Sequence, residues 1–195
     1  YSNTNYILLG MLIEKVEGKP FYRVFEEKLF GPLGLSFTTF AADVPVPADI
    51  IRGYVDLYSN LNVIECTYFS GWDYYTADGG LISNPHDLGI FLRAVVNGQV
   101  LDPSSWAEMT AWRTPSVQDS EFYPTAYGLG IFKMQTPHGD ALFHSGDAIG
   151  YYACMAYFPD RATTVSWAVN GNYGSIDAAV STRTAMERIF NAVLQ

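Results

Sequence analysis

The residues able to carry chemistry here are few, and taken singly they assign none. Three histidines, His86, His138 and His144, stand apart in the chain. None has the His-Glu-x-x-His spacing that puts two imidazoles on one helix face for zinc. Cys66 and Cys154 lack a Cys-x-x-Cys partner, so neither a structural zinc site nor a thioredoxin-like pair is signalled. They stand as one disulfide or as two buried thiols, since free cysteine packs as a small hydrophobe. No metal and no cofactor is expected. Gly128-Leu129-Gly130 lacks the third glycine and following helix of a dinucleotide fingerprint. A glycine-rich phosphate loop is absent, and so is the Gly-x-Ser-x-Gly elbow of an α/β-hydrolase.

In combination the motifs are informative. The chain opens Tyr1-Ser2-Asn3-Thr4-Asn5-Tyr6, followed by Leu8-Leu9-Gly10 and Phe30-Gly31-Pro32-Leu33-Gly34-Leu35. Asp78-Gly79-Gly80-Leu81-Ile82-Ser83 and Asp87-Leu88 come next, then Tyr127-Gly128-Leu129-Gly130, His144-Ser145-Gly146 and Gly150-Tyr151. This order and spacing resembles the serine β-lactamase and penicillin-binding-protein superfamily. The branch it resembles holds class C β-lactamases, D-alanyl-D-alanine carboxypeptidases and related esterases. The likeness runs from residue 1 to the last helix and is weakest over residues 40 to 75.

That resemblance implies acyl transfer through a nucleophilic serine on a D-alanyl peptide, a β-lactam or an ester. Tyr1 and Asn3 match the family's Tyr-x-Asn motif; His144 and Gly146 match its Lys-Thr-Gly or His-x-Gly strand motif, with Ser145 between them. By that match Tyr1 relays the proton, and Asn3 holds the substrate's amide. The His144 strand lines the opposite wall, and the N–H of Asp147 is half of the oxyanion hole. A tyrosine relays a proton near neutral pH only where cations lower its pKa from about 10. Other roles stay open: Tyr1 as a frayed terminus, Asn3 as a helix N-cap, His144 as a core residue. Asp78, Asp87 and Arg93 read as cap and helix-surface charges.

Two departures stand out. The residues three before Lys15, Lys19, Lys28 and Lys133 are Leu12, Val16, Phe25 and Gly130, so no Ser-x-x-Lys occurs. The resemblance therefore implies an N-terminally truncated chain, the C-terminal part of such a protein, without its nucleophile. The alternative is a non-catalytic binding or scaffolding module. The second departure is Asp147, whose carboxylate beside an oxyanion is unfavourable unless it points away.

The elements that must position these residues follow from periodicity. Residues 4 to 17 read as an amphipathic to fully buried helix stopped by Gly18, and Pro20 opens another with Phe21, Val24, Phe25 and Leu29 on one face. Residues 36 to 84 are irregular and aromatic-rich. Asn84 caps a helix from Pro85 to Val96, and Asp102-Pro103 begins one ending near Trp112. Tyr127 to Met134, Ala141 to Ser145, Tyr151 to Phe158 and Thr163 to Asn170 read as strands with tight turns, hence antiparallel. A helix from about Ser175 to Leu194 closes the chain. The fold class is α+β: an antiparallel sheet with a C-terminal helix plus a helical subdomain, β-lactamase/transpeptidase-like. Residues 1–124 form a mainly helical part with Tyr-x-Asn, and 125–195 a sheet part with His-x-Gly.

Composition sets the limits. The 195 residues are 49% hydrophobic and 16% charged, enough for a core and far from a disordered composition. Eleven basic against twenty acidic residues leave −9, with no basic run, so nucleic acid and anionic membranes are set aside as partners. The longest apolar run, Ile7 to Ile13, is too short to span a membrane. The expected partners are a small-molecule or peptide substrate, and a second copy or an N-terminal segment that covers exposed apolar surface. The resemblance implies a bacterial periplasmic or secreted location.

Overall fold

The computed structural model describes residues 1–41, 47–68 and 76–195. Trp72, Tyr74 and Tyr75 of the aromatic stretch lie outside the described residues. Helix α1 spans Asn3–Glu17 and stops where Gly18 takes φ 69°. Ser2, not Asn3, holds the extended N-cap position, and its side chain makes no cap bond. The expected burial of this helix is corrected: only Gly10 is buried, and Leu8, Leu9, Met11, Leu12 and Val16 are exposed. Its apolar arc is wider than the surface the described chain sets against it.

Helix α2 (Phe21–Phe25) runs into a π-helical turn (Glu26–Phe30) and then α3 (Gly31–Leu33). A π turn inserts one residue and rotates the face. Phe30 is therefore buried where helical spacing nominates Leu29. The irregular stretch carries short strands: β1 (Thr39–Phe40), β2 (Tyr54–Val55), β3 (Ile64–Glu65) and β4 (Leu81–Ile82). β1 pairs with β4, and β2 with β3.

Helix α4 spans Pro85–Val96, and the Asn84 side chain accepts the Asp87 N–H at 2.8 Å. Asp87 is not a surface charge: it is buried and accepts the Phe37 N–H and the Thr38 hydroxyl, each at 2.9 Å. It ties α4 to the loop after α3. Helix α5 (Pro103–Met109), capped by Asp102, ends before Trp112.

The main sheet is antiparallel in chain order: β5 (Thr125–Tyr127), β6 (Phe132–Thr136), β7 (Gly139–Ala148), β8 (Tyr151–Phe158) and β9 (Thr163–Val169). The run Tyr127 to Met134 is thus two strands rather than one. Gly128 makes the break: a Cβ there would lie 2.0 Å from the Met109 carbonyl oxygen. β10 (Gly171–Asn172) joins β2 in parallel. The C-terminal helix is also two pieces, α6 (Ser175–Ala179) and α7 (Thr182–Val193). Val180 is extended between them, and Ser181 caps α7 by accepting the Thr184 N–H.

Strand alternation splits the core. Phe143, Cys154, Ala156 and Phe158 face α7, against Met186 and Phe190. Leu142, Met155 and Tyr157 face Leu92 of α4 and the α5 region. Cys66 and Cys154 are both buried and free, so no disulfide joins them.

Candidate active site

Tyr1 and His144 lie far apart in the chain, and the fold brings their rings to 5.8 Å in an edge-on contact. Tyr1 precedes the first turn of α1, and it stacks on Tyr6 of that helix at 5.2 Å. It also meets Tyr127 of β5 edge-on at 6.1 Å. The Tyr6 and Tyr127 hydroxyls share a hydrogen bond. Phe132 packs on the His144 ring at 5.4 Å. An aromatic box therefore joins the start of α1 to the middle of β7.

Sequence reasoning missed three walls of this box, Tyr6, Tyr127 and Phe132. Tyr6 and Tyr127 stood within quoted motifs, but only the tertiary fold sets them against Tyr1.

The box is open on one side: Tyr1 leaves 63% of its surface exposed, while His144 is half-buried. Burial lowers the His144 pKa from its usual 6.5, partly offset by a hydrogen bond to the Ser145 carbonyl. That bond, 2.9 Å from Nδ1, puts the proton on Nδ1 because a carbonyl only accepts. Nε2 is then the free acceptor of the neutral ring. Burial raises the Tyr1 pKa, and the neighbouring Tyr6 and Asp78 raise it further. No cation figures among those causes, so the lowered phenol pKa required of a relay is not supplied by the described residues.

β7 presents its remaining motif residues in a definite way. Its register with β6 ends at Phe143, while pairing with β8 continues to Ala148. Ser145 to Ala148 thus have a strand on one side only, and the Ser145 and Ala148 carbonyls are taken by the His144 and Asn172 side chains. Alternation puts the Asp147 side chain on the Phe143 face, away from the His144 ring. Burial and then the charge of Asp177 raise the Asp147 carboxyl pKa. Gly146 is exposed, with open space where a Cβ would stand. Asn3 is exposed in the first turn of α1, two residues from Tyr1.

The structure thus brings Tyr1 and His144 together and places Ser145, Gly146 and Asp147 along one open strand segment. Among the described residues no group of three His, Cys, Asp or Glu is disposed to hold a metal ion. Nor is any described helix long and apolar enough to cross a membrane.

Residues 1–187 match the family model described as Beta-lactamase. The chain belongs to the β-lactamase family. Two curated relatives are 28% identical: unguisins hydrolase ungD′ of Aspergillus campestris, over 90% of this chain, and penicillin-binding protein 4* of Bacillus subtilis, over 87%. The β-lactamase-family chain spans 34% and 39% of their lengths. The crystal structure of a D-stereospecific amidohydrolase from Streptomyces superposes with a TM-score of 0.81 at 28% identity. That match covers 98% of this chain and 53% of the other. The α+β arrangement is thus the β-lactamase/transpeptidase fold, in a family of β-lactamase-like serine hydrolases.

Proposed function

We propose that this chain supplies the proton-relay and oxyanion portions of a serine acyl-transfer site. The observation that carries the reading is the Tyr1–His144 contact beside a strand segment with an open edge. A serine hydroxyl from a Ser-x-x-Lys motif attacks the carbonyl carbon and gives its proton to Tyr1, whose phenolate form requires the lysine ammonium of that motif beside it because the described residues raise its pKa. The developing oxyanion is held by the Asp147 N–H. The carbon–nitrogen or carbon–oxygen bond then breaks, and Tyr1 returns the proton to the leaving group. Water releases the acyl group by the reverse use of the same relay. Asn3 positions the substrate amide, and Ser145 and Gly146 keep the strand edge accessible.

The substrate we favour is a D-aminoacyl amide, peptide or ester rather than a carboxylate-bearing β-lactam. The D-stereospecific amidohydrolase supports this by its name. So does the neutral His144, which stands where a lysine would be a permanent cation. The replaced charge is worth about 1–2 kcal/mol at an effective dielectric near 20.

The test is a protein containing this chain together with a Ser-x-x-Lys segment encoded upstream. Tyr1→Phe should lower kcat/KM for a D-alanyl ester or amide by at least about 100-fold. His144→Lys should move the ratio of ester to cephalosporin turnover toward the cephalosporin. Unchanged rates in Tyr1→Phe would exclude the relay. A second reading, a binding module without catalysis, is favoured by the lack of Ser-x-x-Lys in these 195 residues. An upstream sequence without that motif would favour this second reading over the enzyme.

A further inference from the structure

A hollow of about 380 Å³ opens beside the β6–β7 hairpin, on the sheet face that packs against α4. Its lining includes Trp106 of α5, Trp112, Lys133, Asp140, Leu142 and Asp160. The aromatic box does not reach it: Asp140 is four residues before His144, roughly 13 Å along β7 at about 3.3 Å per residue. Small-molecule sites run from roughly 300 to 1,000 Å³, so the hollow takes a ligand at the small end of that range.

Strand register places the charged pair. Lys133 stands opposite Leu142, and Asp140 is the diagonal neighbour on the same face. The Lys133 ammonium lies 3.6 Å from the Asp140 carboxylate and 5.9 Å from the centre of the Trp112 ring. Asp160, in the turn after β8, brings a second carboxylate. That carboxylate leans over the hairpin turn, 3.4 Å from where a Cβ on Gly139 would stand. Both indoles are half-buried, packed against Leu92, Ile131 and Leu142. Among the described residues neither indole N–H has an acceptor, and the Asp160 carboxylate has no donor.

These groups select by charge and by shape. An anion is repelled by Asp140 and Asp160, which outnumber Lys133. A cation must compete with Lys133 for the Asp140 carboxylate and for the Trp112 face. A neutral molecule with neighbouring hydroxyls suits both signs at once. Each hydroxyl accepts from the ammonium or an indole N–H and donates to a carboxylate. Hydrogen bonds with an ionised partner are the strong ones. The indoles add broad apolar surface with a polar N–H at one edge. A pyranose matches this arrangement, with hydroxyls around its rim and C–H groups on its faces.

We propose that this hollow binds a neutral pyranose, one glycosyl unit of a carbohydrate ligand. The C–H face of the sugar packs on the Trp106 and Trp112 indoles, and its hydroxyls bridge Lys133, Asp140 and Asp160. The site goes beyond the acyl-transfer reading and does not rest on it.

The test uses the 195-residue chain, labelled with nitrogen-15 and titrated while the indole N–H resonances are followed. The probes are cellobiose, tetramethylammonium chloride and sodium glucuronate. Cellobiose should shift the signals of Trp106 and Trp112, leave that of Trp167 on the opposite face, and saturate in the millimolar range. Asp140→Asn and Asp160→Asn, both at exposed positions, should each weaken cellobiose about fivefold or more, with the rest of the spectrum unchanged. Lys133→Gln should do the same. Tighter binding of tetramethylammonium would make the hollow a cation cage, and tighter binding of glucuronate an anion site; either overturns the proposal. So does cellobiose that moves neither indole signal at about 50 mM, or wild-type affinity in both aspartate variants. Failure of the acyl-transfer reading looks different: a protein with its Ser-x-x-Lys forms no acyl-enzyme, while cellobiose still binds this chain.

Discussion

The hydroxyls of Tyr6 and Tyr127 share a hydrogen bond that joins α1 to β5, an edge strand of the main sheet. With much of the apolar surface of α1 open to solvent, this bond and the Tyr1 ring contacts hold the helix start against β7. Burial raises the Tyr127 phenol pKa, and the bond to Tyr6 raises it further, so Tyr127 stays protonated at neutral pH. Tyr6→Phe and Tyr127→Phe should each lower unfolding stability by about 1 kcal/mol. The double variant should lose less than the sum, because both changes remove one shared bond. Urea unfolding of the four proteins measures this. Strictly additive losses would show that the bond contributes nothing.

His144 should titrate below its usual 6.5, in the Nδ1–H tautomer when neutral. NMR of its ring carbons and nitrogens reads both. The sign for stability follows from the lowered pKa. Between the folded value and 6.5 the unfolded chain binds more protons, so stability falls as pH drops through that window. Above it the contribution is fully present. His144→Gln should flatten this part of the pH–stability curve; an unchanged slope would assign it to another group.

Incubated alone with a fluorescent penicillin, the chain should carry no acyl group by mass spectrometry. The motivation is the absence of Ser-x-x-Lys from its sequence. Loss of a nucleophile costs several orders of magnitude in rate. A stoichiometric adduct on any serine would overturn this.

The chain should self-associate through α1. Leu8, Leu9, Met11, Leu12 and Val16 are exposed together on that helix, and β9 is an open edge of the sheet. Light scattering should show mass rising with concentration, and Leu12→Glu with Val16→Lys should reduce it. A compact monomer at high concentration, without binding of an apolar-surface dye, would count against the idea.

Local chemistry made several boundaries legible in the sequence. Asn84-Pro85 and Asp102-Pro103 start helices because their side chains cap them and proline suits the first turn. Gly18 stops α1 because it enters the left-handed region readily. The Tyr-x-Asn and His-x-Gly motifs and their order were likewise readable without coordinates, and with them the family. The tertiary structure decided what depends on distant neighbours. Val180 breaks the last helix although the apolar stripe runs through it, since periodicity carries no information about where the second half must dock. Asp87 looks like a surface charge, yet it is buried because the loop at Phe37 and Thr38 offers it two donors. Tyr1 and His144 become neighbours only when α1 is laid against the sheet. The surroundings of Tyr1 then raise its pKa rather than lower it, because ionisation depends on the neighbours the fold assembles and not on the residue's own type.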